Sequence, residues 1–158
     1  MIVTAEDLLA EKGSEIVSVT PNSTLFEALK VMSERKLGAI LVKDDGRFVG
    51  IWTERDLVRD TIRDGFDVKV ATIRDHMSSP VVTTPHDTAL YSLMDQILGL
   101  HLRHILIERD GKPIGVLSAR DVMKETLRLR VAQLNELDQI VKLRYYDQWK
   151  WNRKQSSK

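Results

Sequence analysis

The stretch AILVKDDGRFVGIWTERD (residues 39–56) returns as HILIERDGKPIGVLSARD (residues 104–121), and this recurrence decides the fold. Each begins with an apolar run, passes through a charged segment containing Asp-Gly, and enters a second apolar run. Asp-Gly between apolar runs is the strongest short signal for a β-hairpin, because glycine takes positive φ without a steric penalty. Ala39–Val42 and Phe48–Trp52 therefore read as one hairpin, and Ile105–Ile107 with Ile114–Leu117 as another. Thr53 and Ser118 follow the second strands. Both are good N-cap residues, and each opens a helix.

Working outward, the match continues toward the N-terminus at an offset of 64: Val17 meets Val81, Thr20-Pro21 meets Thr84-Pro85, Thr24 meets Thr88 and Leu29 meets Leu93. One extra residue near Gly99 then shifts the offset to 65, which holds from Ile40-Leu41/Ile105-Leu106 to Arg55-Asp56/Arg120-Asp121. Turn residues, apolar runs and charged dipeptides keep their order together, so the chain is a duplication. Ile16–Val19 and Val81–Thr83 are short β-branched runs ended by Thr-Pro, where the residue before proline is pushed to extended geometry. Ser23 and Asp87 are candidate caps for the helix that follows. Leu25, Ala28, Leu29 and Met32 make its apolar stripe in the first copy, and Leu90, Leu93, Met94 and Ile97 in the second.

Each copy is thus a β-α-β-β-α unit, and the fold class is α+β. The first repeat spans 1–70, the second 71–127, and a C-terminal helical extension 128–158. A shorter echo pairs Thr4-Ala5-Glu6-Asp7-Leu8 with Thr72-Ile73-Arg74-Asp75-His76, a capping-box-like helix start. Neither half is large enough to bury a sheet face alone, so the two are expected to pack as one pseudo-twofold domain.

Composition narrows the function. The 158 residues are 42% hydrophobic and 30% charged with a net charge of +1, which describes a globular chain rather than a polycation built for nucleic acid. There is no cysteine, which excludes disulfides, thiolate ligands and a cysteine nucleophile. Glu6, Asp7 and Glu11 interrupt the N-terminus, which argues against a secretory signal, and no apolar run approaches the ~20 residues of a membrane span. A cytoplasmic location is expected. No Gly-x-Ser-x-Gly elbow or phosphate-binding loop is present, and no enzyme activity is expected. His101 and His104 stand three apart, but no cysteine or acidic cluster completes a metal site there.

The repeat resembles the CBS motif over about residues 1 to 127. The resemblance is carried by Met77-Ser78-Ser79-Pro80-Val81-Val82-Thr83, by Arg103-His104-Ile105-Leu106-Ile107, and by Gly-x-x-[Thr/Ser]-x-x-Asp at Gly50–Asp56 and Gly115–Asp121. It implies a CBS pair, or Bateman module, with two clefts that take AMP, ADP, ATP or an S-adenosyl compound such as S-adenosylmethionine as a regulatory ligand. No cofactor is required. Carried over by position, one cleft joins Thr53, Arg55 and Asp56 to Val82, Thr83, Arg103, His104 and Ile105. The other joins Ser118, Arg120 and Asp121 to Val19, Thr20, Gly38, Ala39 and Ile40. The resemblance implies that the aspartate accepts ribose hydroxyls, a role that suits a carboxylate with two acceptor oxygens. Family members often place a basic residue where Arg103 stands to meet the α-phosphate. The first repeat has Gly38 there, so the Asp56/Arg103 cleft is expected to hold phosphorylated nucleotide better.

Lys124 to about Trp151 contains neither glycine nor proline. Leu127, Val131, Leu134, Leu137, Val141 and Tyr145 form a stripe at helical spacing, which predicts an amphipathic helix packed on the body or on another subunit. From Lys142 onward six Lys/Arg (Lys142, Arg144, Lys150, Arg153, Lys154, Lys158) face one acid, Asp147, among Tyr145, Tyr146, Trp149 and Trp151. Aromatic anchors in a homodimer interface are the favoured reading. An anionic partner such as nucleic acid or a membrane surface is the less favoured one. The sequence thus predicts a regulatory, homodimeric nucleotide sensor that signals to an unidentified effector protein. A ligand-independent interaction or dimerisation scaffold is the alternative.

Overall fold

The computed structural model describes residues 2–137. Helix α1 (Ala5–Lys12) precedes the first repeat, which runs β1 (Ser18–Val19), α2 (Leu25–Arg35), β2 (Ala39–Asp44), β3 (Arg47–Thr53) and α3 (Glu54–Thr61). A 3₁₀ turn (Ile73–Asp75) lies in the linker. The second repeat runs β4 (Thr83–Pro85), α4 (Leu90–Gly99), β5 (His104–Arg109), β6 (Lys112–Ser118) and α5 (Ala119–Leu137). Each repeat forms its own three-stranded sheet, β1-β2-β3 and β4-β5-β6, with the first pair parallel and the second antiparallel.

The hairpins form at the expected turns. Asp45 and Gly46 have φ of 43° and 79°, and Asp110 and Gly111 have 51° and 71°. Two successive positive φ values match the twist of the flanking strands, which is why Asp-Gly stands there. A register shift falls at Val42/Lys43 in one hairpin and at Ile107/Glu108 in the other, 65 residues apart.

The same offset holds through the whole repeat, and this corrects the sequence alignment. Ser18 pairs with Leu41 and Thr83 with Leu106. Helix α2 is capped by Thr24, whose hydroxyl accepts from Glu27 N, and α4 starts after Ala89, which makes no side-chain cap. The cap positions are therefore one residue beyond Ser23 and two beyond Asp87, and no residue is inserted near Gly99. Two Thr-Pro dipeptides that coincide at offset 64 are one position out of structural register. The strands also start later than the β-branched runs do, at Ser18 and Thr83.

The described residues form two hydrophobic cores, and each is closed by a segment that precedes the other repeat. Leu25, Ala28, Met32, Ile40, Val42 and Trp52 of repeat 1 are completed by Ile73 of the linker, with Phe66, Val68, Ala71 and Met77 packed against them. Leu90, Leu93, Ile97, Ile105, Ile107, Leu117 and Val122 of repeat 2 are completed by Ala5, Leu8 and Leu9 of α1. Matching backbone bonds hold both segments: Leu25 N donates to Ala71 O and Ile73 N to Ser23 O, while Leu90 N donates to Val3 O and Ala5 N to Thr88 O. The echo around Thr4 and Thr72 marks these two closing segments. Thr4 makes the expected capping box with Asp7, but Thr72 opens only the 3₁₀ turn and makes no such cap. Burying each large apolar side chain stabilises the fold by about 1.5–3 kcal/mol relative to exposure.

Leu41 and Leu106 are also buried but belong to neither core. Side chains alternate along a strand, so these two lie on the sheet faces opposite to the cores. Beyond repeat 2, α5 turns Val122 and Glu125 inward and leaves Met123, Leu127, Val131 and Leu134 exposed. The side chain of Leu137, and Val141, Tyr145, Tyr146, Trp149, Trp151 and the basic tail, lie outside the described residues. Among the described residues no helix is long and apolar enough to cross a membrane.

Candidate functional site

Asp56 and Asp121 are first of all parts of capping boxes. Thr53 N and Oγ1 donate to Asp56 Oδ2 at 2.9 and 2.8 Å, and Asp56 N donates back to Thr53 Oγ1. Ser118 N and Oγ donate to Asp121 Oδ2 at 2.8 and 2.7 Å, and Asp121 N returns the bond. The three-residue spacing in the Gly-x-x-[Thr/Ser]-x-x-Asp stretch is the spacing this reciprocal cap needs. It fixes one oxygen of each carboxylate and leaves the other oriented away from the cap.

The second oxygens differ between the repeats. Asp56 Oδ1 is taken by Arg59 of its own helix at 3.0 Å. For Asp121 Oδ1 no partner is present among the described residues, while Oδ2 carries a third donor, Lys12 Nζ at 2.6 Å. Lys12 also donates to Val116 O at 3.0 Å. Burial works against ionisation of Asp121, but the bonds from Lys12 and Ser118 outweigh it and hold the carboxyl below the usual range.

Two adjoining cavities lie beside this carboxylate. The smaller, about 110 Å³, is a mostly apolar slot that includes Val17, Ala39, Ile40, Ile51 and Val116. The larger, about 910 Å³, is a groove in which Lys12, Lys36, Arg103 and Arg120 face the one acid Glu54. Lys12, Leu37, Gly38 and His104 line both. Gly38 and Arg103, like Glu54 and Ala119, are equivalent positions of the two repeats, so the groove straddles their pseudo-twofold relation.

His104 stands where slot and groove meet. Burial chiefly, with Lys12 and Arg103 adding repulsion against the attraction of Asp121, pushes its imidazole down to about 4. The ring is neutral at physiological pH, and its buried Nδ1 has no hydrogen-bond partner among the described residues. The unfolded chain protonates this residue near 6.5, above the folded value, so stability must fall as pH drops from about 6.5 toward 4. Urea midpoints measured across that window should show the slope in the wild type and a flatter profile in His104→Gln. Asp121, with its lowered pKa, acts with the same sign but only at more acidic pH.

Among the residues expected at the clefts, Gly38, Ala39, Ile40, Arg103, His104, Ser118 and Arg120 line one or both cavities. Asp121 sits against them through Lys12. Thr53, Arg55, Asp56, Val19, Thr20, Val82 and Thr83 line neither, and Ile105 buries its side chain in the core of repeat 2. Arg103 and His104 stand with Ser118 and Arg120 rather than with Asp56. The contributions of Lys12, Glu15, Val17, Leu37 and Glu54 were not legible in the sequence. The only local sign of Lys12 is its place as a basic residue in the last turn of α1.

Two α+β repeats, each closed by the other's leading segment, with a groove lined from both, define a tandem-repeat module. The chain belongs to the CBS domain family, whose model matches residues 12–62 and 73–128. It is 33% identical over 141 residues to an uncharacterized 17.7 kDa protein of Acidianus ambivalens, covering 85% of this chain and 84% of that one. It is 27% identical over 144 residues to the CBS domain-containing protein CBSX3, mitochondrial, of Arabidopsis thaliana, covering 85% and 70%. Among solved structures, the CBS-domain containing protein ATU1752 of Agrobacterium tumefaciens superposes with a TM-score of 0.74 at 34% identity, over 78% of this chain and 99% of that one.

Proposed function

We propose that this CBS pair is a non-catalytic regulatory sensor of adenine nucleotides, with its principal ligand site at Asp121. The observation that carries the reading is the apolar slot opening into a groove with four cations against one acid. A flat base suits the slot, and phosphates suit the groove. Asp121 borders the two cavities through Lys12 and Ser118, and His104 lines both, so polar groups stand near where a ribose would need partners. The preference for adenine follows the CBS resemblance. At Asp56, Arg59 already holds the second carboxylate oxygen, so we read the Asp121 side as the stronger site.

Ligand held between β2 and the start of α5 would contact both repeats and bias their relative geometry, and with it that of α5. Such a bias is limited to the ligand's differential affinity for the two states. The exposed apolar face of α5 at Met123, Leu127, Val131 and Leu134 supports a second element, contact with another subunit or an effector. The same face alone would serve the ligand-independent scaffold.

Calorimetry with AMP, ADP, ATP and S-adenosylmethionine tests the reading. Asp121→Asn should weaken the best ligand about tenfold or more, the scale of one charge-assisted hydrogen bond, with a smaller loss in Asp56→Asn. The reverse order would move the site to Asp56. Absence of binding by any of the four would leave the scaffold.

A further inference from the structure

We propose that Lys12 makes this cleft selective for phosphorylated nucleosides, by competing within the chain for the carboxylate of Asp121. The inference rests on the nucleotide reading above and names the ligand class within it. Lys12 is the last residue of α1, a helix anchored on repeat 2 through Ala5, Leu8 and Leu9. The chain leaves that helix at Gly13, whose φ is 98°, and crosses to repeat 1. Lys12 therefore sits at the crossing, with its ammonium 2.6 Å from Asp121 Oδ2 and its side chain along both cavities.

A ribose diol is best held by both oxygens of a carboxylate. Asp121 Oδ1 has no partner among the described residues, but Oδ2 already takes three donors. The two from Ser118 belong to the start of α5 and are fixed by it. Lys12 is the donor that can leave. Once displaced, its partly exposed ammonium loses its counter-ion beside Lys36, Arg103 and Arg120, a repulsion that a nearby anion relieves. A phosphate in the adjoining groove relieves it, and an uncharged nucleoside does not. A cationic sulfonium would add repulsion from Lys12, Lys36, Arg103 and Arg120. The cleft so arranged favours AMP, ADP and ATP over adenosine and S-adenosylmethionine.

The test is calorimetry of the full chain with ATP and adenosine, for wild type, Lys12→Met and Lys12→Arg. Lys12→Met should weaken ATP about tenfold, the value of one lost charge contact of ~1.4 kcal/mol, while adenosine binding holds or tightens. Lys12→Arg, which keeps the charge, should retain most of the ATP affinity. The pair is partly exposed, so its loss should leave the fold intact. Equal factors of loss for ATP and adenosine in Lys12→Met, or equal ATP loss in Lys12→Met and Lys12→Arg, would make Lys12 only an anchor for α1 and overturn the proposal. A wild type that binds neither ATP nor adenosine overturns the nucleotide reading itself. A wild type that binds ATP, with unchanged ATP affinity in Lys12→Met, overturns the role of Lys12 alone.

Discussion

Asp60→Ala is expected to lower folding stability by about 1–3 kcal/mol, read as a shift of the urea midpoint, because it leaves the buried Trp52 N–H without an acceptor. Asp60 is fully buried. Trp52 Nε1 donates to its Oδ2 at 3.4 Å from within the core of repeat 1, and Arg59 Nε reaches Oδ1 at 3.4 Å. Arg63 lies 3.5 Å from the same Oδ1. His76 Nδ1 lies 3.0 Å from Oδ2, close enough for an ion pair but not aligned as a hydrogen bond. Alanine would leave the indole N–H without an acceptor and the guanidinium groups without their buried anion. Repeat 2 supplies the control. At the equivalent positions, Trp52 becomes Leu117 and His76 becomes Leu8, both apolar and buried, and Asp60 becomes Glu125. Glu125 turns to Arg128, a partner that is largely exposed, at 2.7 Å. Glu125→Ala should therefore cost much less than Asp60→Ala. Equal losses would mean that the network around Asp60 is not what stabilises repeat 1.

Gly115→Ala is expected to cost about 1–3 kcal/mol through overpacking, and the cost should largely vanish in a Leu9→Ala background. A Cβ on Gly115 would stand 2.6 Å from Leu9 Cδ2 and 2.8 Å from Cδ1. Leu9 is buried in the core of repeat 2 and is held by α1, so it has little room to give. Its counterpart, Gly50, faces Met77, whose Sδ would clash with the new atom. Methionine is unbranched and adapts more easily, so Gly50→Ala should be the milder change. Urea midpoints of Gly115→Ala, Leu9→Ala and the double variant form the cycle that decides this. A Gly115→Ala cost that persists without the Leu9 side chain would place its cause elsewhere.

These two glycines show what sequence can and cannot carry. The Gly-x-x-[Thr/Ser]-x-x-Asp stretches were legible as helix starts, because a cap is built from residues three apart. The hairpins were legible because Asp-Gly dictates local φ. Why glycine opens those stretches was not legible, since Met77 lies in the linker and Leu9 at the far N-terminus. The repeat register slipped by one residue over β1 and α2 for a related reason. Matching Thr-Pro dipeptides outweighed the helix caps in the linear comparison, whereas strand pairing follows the backbone. Among the cavity-lining residues, Gly38, Ala39, Ile40, Arg103, His104, Ser118 and Arg120 came from the CBS resemblance. Lys12 could not, because its partner lies 109 residues away and no periodicity links them.

The exchange of leading segments also sets an order of events at the ribosome. Helix α1 is made before repeat 2, yet Leu90, Val116 and Asp121, which hold it and the residues before it, belong to that later repeat. With Lys12 separated from Val116 and Asp121 by 104 and 109 residues, synthesis at about 5–20 residues per second leaves α1 undocked for on the order of 5–20 s. Repeat 1, whose closing segment follows it directly, has everything it needs to fold in that interval. Helix α1, with Leu8 and Leu9 uncovered, must wait for repeat 2.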